Sequence, residues 1–385
     1  MPKGGENVKQ RLRRLGSFLL RSDLFLLVLC LITAVFGLFI LYSATRTYET
    51  ERYMTVQIGA LAIGVLLFFL LTVLDADLLT DRWYIILPLS ILLILSLRFW
   101  GIEGGTGNKS WLRFFGIGIQ PSEIVKLSFV LLLARQIRWL KERNRGINAV
   151  SSVFMLLVHF GLFFALIVVI SADWGSALVF FFIFAAMCFA GSLHLLWFLV
   201  GIGAAAAAVP ILWNRFLSDY HRERILALFY PEQVDPTGLG ITWQVNQSKA
   251  AVASGGITGQ GWLQGVKSQS AMIPFKHTDF IFAVAGEELG LIGCGVIILL
   301  LTVIVLRVLY VGLHSGSTMD LLICIGVAAW FTFQSFENIG MCIGIAPVVG
   351  ITLPFFSYGG SSMVACFAAM GLISGIRFRA RTRSG

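Results

Sequence analysis

Ten stretches of this chain are apolar for long enough to cross a lipid bilayer, and no other feature restricts its fold as strongly. A spanning helix needs about 20 predominantly apolar residues. The candidates run 24–44, 54–74, 83–100, 122–140, 150–171, 175–191, 193–213, 279–309, 320–343 and 359–376. Composition agrees, since 57% hydrophobic and 13% charged residues over 385 positions leave too little polar surface for a soluble fold. The expectation is an all-α polytopic membrane protein, read as a single integral domain over 1–385.

Charge sets the expected orientation. The net charge is +9, but the basic residues do not form a nucleic-acid face. Lys3, Lys9, Arg11, Arg13, Arg14 and Arg21 precede the first apolar run, and Arg377, Arg379, Arg381 and Arg383 follow the last. By the positive-inside rule, both tails (1–23 and 377–385) are expected in the cytoplasm, which requires an even number of spans. The loop after the fourth span carries Arg138, Lys141, Arg143 and Arg145 against Glu142, as an inner loop should. Loop 75–82 goes against the rule, with Asp75, Asp77 and Asp81 beside Arg82, but acids weigh little in orientation. The first run is too long for a removable signal peptide and lacks a small-residue cleavage site. Cys30, Cys188, Cys294, Cys324, Cys342 and Cys366 lie in apolar runs without CxxC spacing and read as small core residues.

Two outer segments are more than connectors. Residues 101–121 surround an amphipathic core, Trp111 to Phe115, that suits the headgroup region. Residues 214–278 form a loop too long to be idle. Its opening places Phe216, Tyr220, Ile225 and Leu228 among Arg215, His221, Arg222 and Arg224, the pattern of a basic amphipathic helix at the outer interface.

That loop runs into the eighth span through KHTDFIFAVAGEELG (276–290). Asp279 stands at this boundary, where a carboxylate is costly and its pKa tunable. Capping of the eighth helix by Thr278 or Asp279 explains the residue equally well from spacing alone. Neighbouring Lys276 and His277 favour instead a general base acting on a hydroxyl beside an anionic leaving group. Glu123 and Lys126, three apart, share one face at the start of the fourth span, as either a functional pair or a structural salt bridge. Arg222, Arg224, Lys249 and Lys276 are candidate pyrophosphate holders. The run Ser254 to Gly261 has the glycines of a phosphate nest but not the GK[ST] ending of a nucleotide loop. Asp173 reads as a turn residue capping the sixth span. Glu287 and Glu288 point about 100° apart, so at most one faces any given partner. Glu337 and Asn338 read as helix–helix glue. No His, Cys and carboxylate cluster has zinc spacing.

Taken together, HTDFIFAVAGEELG and NIGMCIGIAPVVGITLPFFSYGGSS (338–362) resemble the RodA/FtsW/SpoVE (SEDS) family. WLRFFGIGIQPSEIVKLS and QVNQSKAAVASGGITGQGW are similar to its fourth-helix entry and its large external loop, and the resemblance runs from about residue 24 to 378. Gly261 to Gly265, Ser268, Gln269 and Pro274 lean toward the RodA branch. In two places the chain departs from the family pattern. Ala172-Asp173-Trp174-Gly175-Ser176 stands for the usual PDLGT, and Phe275 replaces an acid, which is expected to favour an ionised Asp279.

The resemblance implies a ten-helix bundle with a large extracytoplasmic loop between helices 7 and 8. It implies a peptidoglycan glycosyltransferase that polymerises lipid II into β-1,4 glycan on the outer face of the bacterial plasma (inner) membrane, during cell elongation and shape maintenance. Asp279 takes the place of the family's essential aspartate, with Glu123 and Lys126 as polar cavity residues. Inversion at the anomeric carbon calls for one base, Asp279, and a stabilised leaving group, undecaprenyl pyrophosphate. His277, Lys276, Lys249, Arg222 and Arg224 are candidate substrate-binding residues. No cofactor site is visible; a divalent cation, Mg or Mn, bridging Asp279 and the pyrophosphate remains open. The expected partners are lipid II, a class B penicillin-binding protein, other elongation proteins and the membrane, not nucleic acid. Two rival readings are a flippase for lipid II, using Glu123, Lys126 and Glu287 as a polar path, and a non-catalytic scaffold.

Overall fold

The structure, a computed structural model, describes residues 22–383 except 49, 103–108, 115–116, 144–145, 216–218 and 271. The basic residues Lys3 to Arg21 and Arg145 therefore lie outside the described residues, as do Phe216 and the side chains of Tyr220, His221, Arg381 and Arg383.

All ten expected spans are helical, because within a bilayer only intrasegment hydrogen bonds satisfy the backbone. They are α1 (Leu24–Thr45), α2 (Arg52–Val73), α4 (Trp83–Leu95) continued by α5 (Leu97–Trp100), α6 (Pro121–Glu142), α7 (Val150–Leu166), α8 (Trp174–Ala190), α9 (Leu195–Arg215), α13 (Ile281–Leu313), α14 (Thr318–Ile343) and α15 (Gly360–Arg383). The short helix α3 spans Ala76–Asp81, and a π-helical turn, Ile167–Ser171, extends α7. Eight spans are long and apolar enough to cross a membrane; α8 is apolar but shorter, and α6 carries too many charges.

The two long connecting segments carry secondary structure among their described residues. Two short strands, β1 (Leu112–Phe114) and β2 (Ile117–Ile119), pair antiparallel. The pair is docked by the Gln120 N–H, which donates to Ser361 Oγ at 3.0 Å. The long loop folds into α10 (Asp219–Phe229), as expected, then α11 (Pro231–Val234) and α12 (Trp243–Gly255).

The core forms where small residues let helices approach. α15 packs along α2, and a Cβ on Gly371 would lie 2.5 Å from Phe68 O. α13 packs on α14 and α12, and α14 on α8. α9 buries none of its apolar window inside the protein.

Asp23, fully buried, accepts from the Leu26 N–H, Arg307 and Arg377, and so joins α1, α13 and α15. Arg307 is near the far end of α13 from Asp279, roughly 40 Å away at about 1.5 Å per residue.

Candidate functional site

Phe275 has a left-handed backbone (φ 49°). Its carbonyl accepts from the N–H groups of Thr278 (3.0 Å) and Phe280 (3.2 Å), which curls 275–280 into a tight knot before α13. The N-cap position belongs to Phe280, with no side-chain cap bond. Asp279 is therefore not spent on capping.

The 338–359 segment clamps this knot from the other side. Asn338 Nδ2 donates to the carbonyls of Asp279 (2.9 Å) and Ile351 (2.7 Å). Ser357 Oγ donates to Thr278 O at 2.6 Å and accepts from the Leu353 N–H at 2.8 Å. The Tyr358 N–H donates to His277 O at 2.8 Å. Gly350 has φ 73°, and a Cβ there would stand 3.6 Å from Asp279 Oδ2. Asn338, expected to act as helix glue, thus fixes the backbone of the key residue. The sequence signal was its place at the head of the second motif.

Asp279 is half-buried, and burial dominates its chemistry. The carboxyl is pushed up to about 7 by burial, opposed by the Thr278 hydroxyl and the charge of Arg224, and raised further by Asp173. Nearby positive charge does favour the ionised form of Asp279, as expected, but desolvation outweighs it. A base with a pKa near 7 is matched to neutral pH.

Of the expected cations, only Arg224 is brought to Asp279. It also donates to Val348 O at 2.7 Å. Arg222 instead bonds Asp219 and the Asn214 carbonyl, both at 3.2 Å. Lys249 is exposed, its stem against Gly344. Lys276 is 1% exposed, and its ammonium donates to Thr47 Oγ1 at 2.9 Å and to the carbonyls of Ser268 and Ser270. Burial lowers its pKa, while Glu288 and Glu287 counter that. His277 is pushed down to about 4 by burial and Lys276, and its Nδ1 lies 3.2 Å from the Tyr48 hydroxyl.

Glu123 and Lys126 are both buried and form a 2.8 Å ion pair. Lys126 also reaches Gln334 Oε1 at 2.8 Å, and Gln334 Nε2 donates to Thr352 O and Oγ1 at 2.8 and 3.0 Å. Asp173 caps α8 as expected, accepting from the Ser176 N–H and hydroxyl and from Gln120 Nε2. Its charge acts on Asp279, which sequence spacing did not reveal.

The glycine run is not a phosphate nest. α13 breaks at Gly290 (φ 63°, ψ −161°). The Glu287 and Glu288 carbonyls, freed by the break, accept from the Gln260 and Gly261 N–H groups, and the Gly259 N–H goes to Gly255 O at the end of α12. These three donors are satisfied by helix ends and are not left for an anion. Among the described residues no group of three or more His, Cys, Asp or Glu could hold a metal ion. A divalent cation at Asp279 would therefore draw most of its ligands from substrate oxygens.

Fold and site together define a polytopic membrane protein with a desolvated carboxylate where a long helix-bearing loop enters the bundle. The FTSW_RODA_SPOVE family profile, described as "Cell cycle protein", matches residues 23–382. The chain is 33% identical over 359 residues to the peptidoglycan glycosyltransferase MrdB of Escherichia coli K12, covering 91% of this chain and 92% of that one. It is 32% identical over 367 residues to the probable peptidoglycan glycosyltransferase FtsW of Trichlorobacter lovleyi, covering 92% of each. Among solved structures, it matches a chain of a peptidoglycan synthase complex that coordinates polymerization and crosslinking (TM-score 0.79, 30% identity, 93% of this chain and 98% of that chain). It also matches the rod shape determining protein RodA of Thermus thermophilus (TM-score 0.67, 26% identity, 92% and 96%). The chain belongs to the FtsW/RodA/SpoVE family, and it is a glycosyltransferase of that family.

Proposed function

We propose that the chain polymerises lipid II into β-1,4-linked peptidoglycan glycan on the outer face of the bacterial inner membrane, in the elongation machinery and beside a class B penicillin-binding protein. Both termini then lie in the cytoplasm, and the Asp279 end of the bundle faces outward. The relatives named as peptidoglycan glycosyltransferases support the substrate class, and the synthase complex supports a crosslinking partner.

The observation that carries the mechanism is the Asp279 carboxylate, free of any capping role and raised to about 7 by burial. Asp279 takes the proton from the acceptor sugar hydroxyl, whose oxygen attacks the anomeric carbon of the donor. The anomeric C–O bond breaks with inversion, and undecaprenyl pyrophosphate leaves with the electron pair. Arg224, whose charge reaches Asp279, is placed to counter the charge of the leaving group. Asn338, Ser357 and Gly350 hold the knot that aims the carboxylate. Glu123 and Lys126 brace the Gln334–Thr352 network behind it.

The test is reconstitution of the purified protein with its penicillin-binding partner and lipid II. Wild type is expected to make glycan polymer. Asp279→Asn should make none while remaining folded and partner-bound. Normal polymer from that variant would remove Asp279 from the mechanism. Movement of lipid II across liposomes without polymer would make the protein a carrier.

A further inference from the structure

Beside Asp279 stands a group of rings that the proton transfer does not use. His277 meets Tyr53 and Tyr48 edge-on at 4.9 and 5.4 Å between centroids, and Tyr358 lies 5.8 Å away. Tyr53 meets Tyr358 at 4.9 Å and Tyr48 at 5.3 Å. The rings arrive from separate parts of the chain: the turn after α1, the first turn of α2, the knot before α13 and the segment before α15. The knot is tied to the last of these by the Tyr358 N–H bond to His277 O.

This cluster is unlike the aromatic core. Phe129, Phe163, Phe180 and Phe355 are almost wholly buried, whereas all four rings beside Asp279 keep part of their surface accessible. Three of them carry phenol hydroxyls. The charges of Arg52 and Arg113 act on the Tyr358 phenol, and the Lys276 ammonium lies 5.4 Å from the Tyr48 ring centre. His277, held well below its ordinary pKa, stays neutral at physiological pH.

Half-exposed aromatic rings with hydroxyl edges present what a pyranose ring needs: a flat apolar face for its C–H face and hydrogen-bond partners for its rim. The neutral histidine suits an uncharged sugar better than a phosphate. Given the reading of Asp279 as base, the sugar that gives up its proton must rest within reach of that carboxylate, and His277 is two positions from it.

We propose that Tyr48, Tyr53, Tyr358 and His277 form a carbohydrate subsite that seats the hydroxyl-bearing N-acetylated sugar of the acceptor against Asp279, with Arg52 and Arg113 at its outer margin. Arg224 serves the leaving group, and this cluster serves the nucleophile. Tyr53, which touches each of the other three rings, is its centre.

The probe is chitotriose, a soluble β-1,4 N-acetylglucosamine trimer, observed by saturation-transfer NMR on the full chain in lipid nanodiscs. Wild type and Asp279→Asn should both transfer saturation to the sugar, and Tyr53→Phe should too. Tyr53→Ala and Tyr53→Leu, the latter keeping apolar bulk without a ring, should lose it. In the polymerisation assay Tyr53→Leu should raise KM about tenfold, with kcat and the acid limb of the pH profile unchanged, as loss of uniform binding requires. No saturation transfer in wild type, or full transfer in Tyr53→Leu with wild-type KM, overturns the subsite. A fall in kcat shared by Tyr53→Phe and Tyr53→Leu would assign the rings to packing alone. The base assignment fails separately, if Asp279→Asn still polymerises while the chitotriose results stand.

Discussion

Asp279 and the Glu287–Glu288 pair flank the first turns of one helix, yet their surroundings are opposite. Glu287 and Glu288 are 0% and 2% exposed, and their oxygens are saturated. Glu288 accepts from Ser43, Ser268, Gln269 and the Leu263 N–H, and Glu287 from the N–H groups of Lys267 and Ser268. Both therefore meet Ser268, against the expectation that at most one would face any given partner, because its N–H and hydroxyl reach different carboxylates. Asp279 is more exposed but poorly compensated, with the Thr278 hydroxyl and the charge of Arg224 set against burial. Buried charge that is fully hydrogen-bonded organises structure, here the loop from Gly261 to Ser270. Charge left under-compensated is the kind a reaction can use.

Substitutions can break or sharpen that contrast. The largest effect is expected from Asp279→Asn, which should cut polymerisation by roughly 10²–10⁴-fold, the usual contribution of general-base catalysis. A rate within tenfold of wild type would place the base elsewhere. Lys126→Met should cost about 3–5 kcal/mol by stranding the Glu123 carboxylate in the interior. Thermal unfolding in detergent reads this, and Glu123→Gln added to it should restore much of the loss. Glu288→Gln should cost about 1.5–3 kcal/mol, the value of hydrogen bonds to a charge. The folded fraction should keep the wild-type pH profile, and a shifted profile would tie this carboxylate to the chemistry.

The remaining effects concern pH. The polymerisation rate should rise as pH passes through about 7, where Asp279 loses its proton. Arg224→Gln should move that limb to higher pH, because the Arg224 charge lowers the Asp279 pKa. Stability should run the other way. A carboxyl whose folded pKa is raised contributes stability below its unfolded value of about 4, and that contribution is lost as pH rises to the folded value. Asp279→Asn should therefore melt higher than wild type at pH 8, and the difference should vanish near pH 4. Equal melting at both would mean that the carboxyl is well solvated.

Much of the fold is legible in sequence because bilayer thickness sets a length that apolar runs must meet. All ten runs became helices, with their ends displaced by a few residues. The basic amphipathic pattern at 215–229 likewise gave a helix, α10, over Asp219–Phe229. The strand pair Leu112–Phe114 and Ile117–Ile119 was not legible, since three-residue strands give too short an alternation to read. Asp279 was singled out from its neighbours, but where those neighbours point was not legible. Lys276 turns to the Ser268 and Ser270 carbonyls, and His277 joins tyrosines from other segments. Asn338, Ser357 and Tyr358 meet the knot across some 60 to 80 residues of chain, a distance that local pattern cannot bridge.

The sequence by itself determined that this chain is a multi-span helical membrane protein with a carboxylate at the mouth of its eighth span, because apolar length and charge placement are properties of the chain alone. Tertiary structure decided the surroundings of each carboxylate. Protonation and hydrogen-bond saturation depend on burial and on partners from distant segments. On those grounds the Asp279 carboxyl is pushed up to about 7 by burial, while Glu287 and Glu288 are consumed in holding the loop.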